Sequence, residues 1–300
     1  MRTLFCLLAG LALLTSPAHA KLNVVATLPD FASLAEEIGG DKIKVTSLAK
    51  GTEDPHFVDA KPSFIRVLNQ ADALIEGGAE LELGWLPPLV QNARNPRILP
   101  NAPGHLVLAR GIKLLDAPTT LDRSQGDVHA AGNPHYNLDP DNFKVMATTL
   151  AEGFSRLDPA NAPVYQANLR AFNERLDGKM AEWAKLAAPL RGMKVITYHK
   201  SFEYLAARYG FDIVGQIEPK PGIEPSATHI NALIPKAKAA GVKLVMMEPN
   251  RARKTPQFVA DSIGAKLVIC PGLVGGSPEA KTCCDLIDSN LRALLKAAQP

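Results

Sequence analysis

The chain has 300 residues, with 33 Lys and Arg against 30 Asp and Glu, and 46% of its residues are hydrophobic. A formal net charge of +3 without any long basic run gives no electrostatic basis for gripping nucleic acid. The hydrophobic fraction excludes a disordered chain, and 22 Gly with 24 Pro exclude a fibrous one, leaving a globular protein long enough for two domains.

The beginning stands apart from the rest. Arg2 precedes an almost unbroken apolar run from Leu4 to Leu14, Ser16-Pro17 breaks it, and Ala18-His19-Ala20 puts small residues where a signal peptidase reads. The run is too short to span a bilayer. Residues 1–20 are therefore expected to be a cleaved signal peptide, with a mature exported chain starting at Lys21. No Cys follows the cleavage point, so a lipid anchor is not expected. Cys6 leaves with the leader, and Cys270, Cys283 and Cys284 remain. In an oxidising compartment Cys270 is expected to form a disulfide with Cys283 or Cys284, a metal-ligand role for Cys270 being the competing reading.

From Lys21 onward, strands alternate with helices. Residues 22–27 read as a strand, and Asp30 to Ile38 has helical spacing closed by Gly39-Gly40. Ile43 to Leu48 is a second strand, Lys61-Pro62-Ser63 opens a helix through Leu68, and Ala73 to Glu76 is a third strand. Residues 100–133 read mostly as loop. Tyr165, Leu169, Phe172, Leu176, Met180, Trp183 and Leu190 then form one apolar stripe at helical spacing. A helix of about 27 residues would be roughly 40 Å long, more than one small domain, so it is expected to run along two lobes. The alternation restarts afterwards: strands at 194–198, 211–214, 242–247 and 266–269, helices at 202–209, 228–240, 256–263 and 284–298. The expected fold is α/β: two β/α sandwich lobes, residues 21–158 and 192–300, joined by one long rigid helix within 159–191.

Six histidines follow residue 20, and three share a setting. His56 stands in Asp54-Pro55-His56 after the second strand, His135 in Asn133-Pro134-His135 before the long helical region, and His199 in Tyr198-His199-Lys200 after the first strand of the second lobe. Strand C-terminal ends are where open α/β sheets present ligand-binding groups. A preceding proline stiffens the backbone that carries each of the first two imidazoles. Three imidazoles suit zinc better than magnesium or calcium, so His56, His135 and His199 are the candidate metal ligands. His105 and His229 carry no such context. Asp54, Asp127 and Glu248 are candidate groups for orienting the ligands.

With these residues in view, the chain resembles the metal-specific periplasmic solute-binding proteins that serve zinc and manganese ABC importers. The resemblance rests on Asp54-Pro55-His56 with Lys61-Pro62-Ser63, Ala71-Asp72-Ala73-Leu74, Gly78-Ala79-Glu80-Leu81-Glu82, Gly132-Asn133-Pro134-His135 with Leu138-Asp139-Pro140, Ile196-Thr197-Tyr198-His199, Glu224-Pro225-Ser226 and Glu248-Pro249. It implies two lobes bridged by a rigid helix, metal ligation by His56, His135 and His199, and no catalysis. It also implies a monomer that hands Zn²⁺, with Mn²⁺ the lesser alternative, to an inner-membrane permease and its cytoplasmic ATPase. Many members take a fourth ligand, an aspartate, from the loop after the last strand, which here reads Ile269-Cys270-Pro271-Gly272. The fourth position therefore stays open among water, Cys270, Glu248 and His129. Many zinc members also carry a His-rich acidic loop before the second ligand, and residues 115–133 hold only His129. A periplasmic zinc buffer or a zinc-dependent hydrolase are the alternative functions; no H-E-x-x-H pair supports the hydrolase.

Overall fold

The structure, a computed structural model, describes residues 20–117, 129–220 and 222–299. Residues 1–19 of the expected leader and the candidate residue Asp127 lie outside the described residues. Two four-stranded parallel sheets organise the chain. The first comprises β1 (Leu22–Ala26), β2 (Ile43–Ser47), β3 (Ala73–Glu76) and β4 (His105–Val107), in the order β2-β1-β3-β4. The second comprises β5 (Lys194–Thr197), β6 (Asp212–Gln216), β7 (Leu244–Met247) and β8 (Lys266–Ile269), in the order β6-β5-β7-β8. The lobes thus repeat one strand order without a sequence repeat. Parallel pairing demands crossovers, and helices supply most of them. Strands covered on both faces should be apolar throughout. Leu-Val-Met-Met in β7 is entirely buried, as are Val24, Val25 and Ala26 of β1.

In the first lobe, α1 (Pro29–Gly39), α2 (Pro62–Asn69) and α3 (Leu86–Ala93) each carry proline at the first turn, where no amide donor is missed. Then α4 (Pro140–Leu157) and α5 (Ala162–Leu186) run as a helical pair. The second lobe adds α6 (Glu203–Tyr209), α7 (Ala227–Ala240), α8 (Lys254–Ile263) and α9 (Cys283–Ala298). The long helix α5 has 25 residues, about 38 Å at 1.5 Å per residue. Its Tyr165, Phe172, Leu176 and Trp183 are buried, while Leu169 and Met180 pack partly against the same core. Asn168 Nδ2 donates to the Ile38 carbonyl at 2.9 Å on α1, and Trp183 Nε1 donates to Asp288 Oδ1 at 3.2 Å on α9. The helix is therefore pinned to both lobes. Strand β4 adds one short element to the mostly loop segment 100–133, its three residues pairing with β3 at Leu74↔His105 and Glu76↔Val107.

One hydrophobic core does not stop at the lobe boundary. It runs from Val24 and Ile75 through Phe172 and Trp183 to Val195, Leu244, Leu286 and Leu291. A second core, containing Ile196, Val245, Leu233 and Val259, covers the other face of the second sheet. Polar links cross the same boundary. Asn137 Nδ2 donates to Asp30 Oδ1 and to the Gly272 carbonyl, both at 2.9 Å, and the Val274 amide donates to Asp30 Oδ2 at 2.9 Å. Gly51 lies so close to the loop after β8 that a Cβ there would stand 2.1 Å from the Val274 carbonyl oxygen.

The expected disulfide is absent: Cys270, Cys283 and Cys284 are free thiols. Their surroundings explain it. Cys270 is buried at the end of β8, whereas Cys283 Sγ faces α1 and donates to the Asp30 carbonyl at 3.3 Å. Burial pushes all three thiols up, Cys284 to about 11, so none is poised as a thiolate.

Candidate metal centre

The strand ends of the two sheets face one another across a cleft, and loops leaving them carry the three histidines. His56 follows β2, on a loop fastened by Trp85 Nε1 donating to the Pro55 carbonyl at 3.0 Å and by the His56 amide donating to Asp54 Oδ1 at 3.0 Å. His135 precedes the 3-10 turn Tyr136–Leu138, which leads into α4, and Tyr136 Oη anchors that turn to the Gly77 carbonyl at 2.7 Å. His199 leaves β5, one of the two inner strands of its sheet.

These imidazoles converge. One nitrogen from each of His56, His135 and His199 lies within 4.8 Å of the others, and Nε2 of His56 is 3.2 Å from Nε2 of His135. Their rings meet edge-on, at centroid separations of 5.1 to 5.6 Å. Two nitrogens bound to one tetrahedral zinc at 2.0–2.1 Å would stand about 3.3 Å apart.

Hydrogen bonds fix which nitrogen faces the cleft. His135 Nδ1 donates to Asn133 Oδ1 at 2.9 Å; the same oxygen accepts the His135 amide, and Asn133 Nδ2 donates to the Lys200 carbonyl at 2.8 Å. With both ends of the amide committed, Nδ1 carries the proton and Nε2 presents its lone pair. His199 Nδ1 donates to Glu218 Oε2 with the same effect. Carboxylates and amides behind the ring orient imidazole and raise its basicity. Asn133 and Glu218 perform this role; neither was expected to. Asn133 stands in the quoted Gly-Asn-Pro-His motif. Glu218 arrives because β6 lies beside β5, its amide donating to the Tyr198 carbonyl at 2.9 Å.

Protonation differs across the cluster. Burial holds His56 and His135 well below the usual imidazole range, and the neighbouring His199 and Arg251 charges push the same way. Burial also disfavours the His199 cation, but the Glu218 hydrogen bond and the Glu248 and Glu218 charges outweigh it, and His199 is raised.

The other expected residues fall into place around this cluster. Asp54 pairs with Arg251 across the cleft at 3.0 Å, and the guanidinium lies 5.3 Å over the Tyr198 ring. Glu248 accepts from Ser201 Oγ at 2.5 Å. His129 stacks on His56 with centroids 5.0 Å apart, outside the converging set of donors. Cys270 is also outside that set. His105 Nε2 meets Glu76 Oε2 at 3.2 Å, and His229 Nε2 lies 3.0 Å from the Gln216 carbonyl oxygen, so both serve locally.

Comparison with known proteins agrees with this architecture. The manganese ABC transporter substrate-binding lipoprotein PsaA of Streptococcus anginosus is 26% identical over 234 residues, 76% of this chain and 72% of that protein. The high-affinity zinc uptake system protein ZnuA of Brucella abortus is 31% identical over 132 residues, 44% of this chain and 40% of that one. A crystal structure of ZnuA superposes with a TM-score of 0.78 at 27% identity, covering 93% of this chain and all of that one. Residues 24–297 match the family described as zinc-uptake complex component A, periplasmic. The chain therefore belongs to that family, as a metal-binding component of an ABC importer and not an enzyme.

Proposed function

We propose that this protein captures Zn²⁺ in the periplasm with His56, His135 and His199 and delivers it to an inner-membrane permease. In this reading residues 1–20 are removed on export, and the lobes at 21–158 and 192–300 close on the ion from either side of the 159–191 segment. The observation that carries the reading is the convergence of three imidazoles, two of them with Nδ1 held by a hydrogen bond that leaves Nε2 as the nitrogen offered to a metal. An all-nitrogen donor set favours zinc over manganese, which prefers carboxylate and carbonyl oxygens. Relatives include proteins named for either metal, so direct competition decides. In titrations against a competing chelator, the parent binds Zn²⁺ at least a hundredfold more tightly than Mn²⁺. His135→Ala loses most zinc affinity, while His105→Ala and His229→Ala keep it. Full zinc affinity in His135→Ala would sink the ligand assignment; Mn²⁺ binding as tightly as Zn²⁺ would sink the specificity.

A further inference from the structure

Resting on the three-histidine reading, we propose that Glu248 acts on the bound cation through one water molecule. The water fills the cation's fourth position and donates a hydrogen bond to Glu248 Oε2, while Ser201 holds the carboxylate.

Glu248 follows β7 and is 6% exposed. Its Oε1 accepts from Ser201 Oγ at 2.5 Å, whereas its Oε2 is buried with no hydrogen-bond partner among the described residues. A buried carboxylate oxygen left without a donor is costly, so the site calls for one. A cavity of about 30 Å³ is lined by both Glu248 and Ser201 together with His135 and His199. That volume is enough to admit a water molecule. Glu248 is not among the donors that converge within 4.8 Å, so the proposed arrangement has a water, and not a direct bond, link it to the ion.

The chemistry gives this arrangement a purpose. Three neutral imidazoles bring no charge to a dication. A carboxylate one water away offsets part of the charge without becoming a fourth direct ligand. The cation then keeps three nitrogens and one water, a coordination that zinc accepts readily. Ser201, two residues beyond His199, links the carboxylate to the same loop that supplies a ligand, so it is a positioning residue.

The test uses Zn²⁺ with a competing chelator, and Co²⁺ as a visible probe of coordination. Glu248→Leu removes the acceptor and should weaken zinc binding about ten- to a hundredfold, the range for groups behind a metal's ligands. Glu248→Gln keeps an acceptor without the charge and should fall between that variant and the parent. Both variants loaded with Co²⁺ should keep the intense absorption of a four-coordinate site, because the water stays. Melting of the metal-free proteins checks the fold, and the near-isosteric Glu248→Gln carries the test if Glu248→Leu melts early. Parent-like zinc affinity in both variants, with His135→Ala defective, would overturn the role of Glu248 and leave the histidine site standing. Loss of the four-coordinate Co²⁺ spectrum would make Glu248 a direct ligand and overturn the water. If His135→Ala also bound zinc normally, the site itself would fall.

Discussion

At the scale of single residues, protonation governs behaviour. In the proposed site, zinc would require His199 as neutral imidazole, yet Glu218 raises its affinity for a proton against the opposing effect of burial. His56 and His135 are lowered and are neutral at pH 7. Zinc affinity should therefore fall as pH drops through and below the His199 value, about tenfold per pH unit for one displaced proton. Glu218→Gln should move the onset of that fall to lower pH. Zinc titrations from pH 5 to 8.5 measure both, and a flat parent profile would contradict the account. Glu82 supplies a second test. Burial raises it from 4.5 to about 7, despite hydrogen bonds from Thr27 Oγ1 and the Gly77 and Gly78 amides. The folded chain thus holds this proton more tightly than the unfolded one. The resulting stability is full below about pH 4.5 and is lost as pH rises through about 7, a difference on the order of 3 kcal/mol. Urea unfolding of the parent and Glu82→Gln should show the parent losing ground between pH 5 and 8; parallel curves would refute it.

At the scale of elements, periodicity and strand ends account for what the sequence reveals. The stripe from Tyr165 to Trp183 reads directly as α5, and seven of the eight strands lie where apolar runs place them. The exceptions have physical causes. Strand β4 has three residues, too few for a period, and exists through its pairing with β3. Helix α3 opens with Leu86-Pro87-Pro88, residues that resemble a loop until the first turn is recognised as proline-tolerant. Helix α4 buries Phe143, Met146, Leu150 and Phe154, a legible stripe that the neighbouring longer one overshadows. The three histidines are legible because Pro-His steps and strand ends mark them. Asn133 and Glu218 are not, since strand adjacency and loop closure deliver them. Trp183 tests α5 itself. It is 1% exposed and bonds α9, so Trp183→Ala should cost roughly 3–5 kcal/mol of stability in denaturant unfolding. A loss below 1 kcal/mol would show that this contact does not hold the lobes together.

At the scale of the whole molecule, two sheets suggest two folding units, but the core says otherwise. Apolar side chains from Val24 to Leu291 form one cluster, so unfolding either lobe alone would expose the face it shares with the other. Calorimetry of the metal-free protein should show one transition with equal calorimetric and van't Hoff enthalpies. Two resolved transitions would mean that the shared core is not cooperative. The same continuity sets how this chain can be varied by recombination. A chimera that swapped one lobe for that of a distant relative would have to rebuild packing at Trp183, Leu244 and Leu286 together, besides the close approach of Gly51 to Val274. Exchanging only the loops at the strand ends would leave that seam intact. The unit of inheritance is then the entire scaffold, while the loops that carry the histidines are the interchangeable parts.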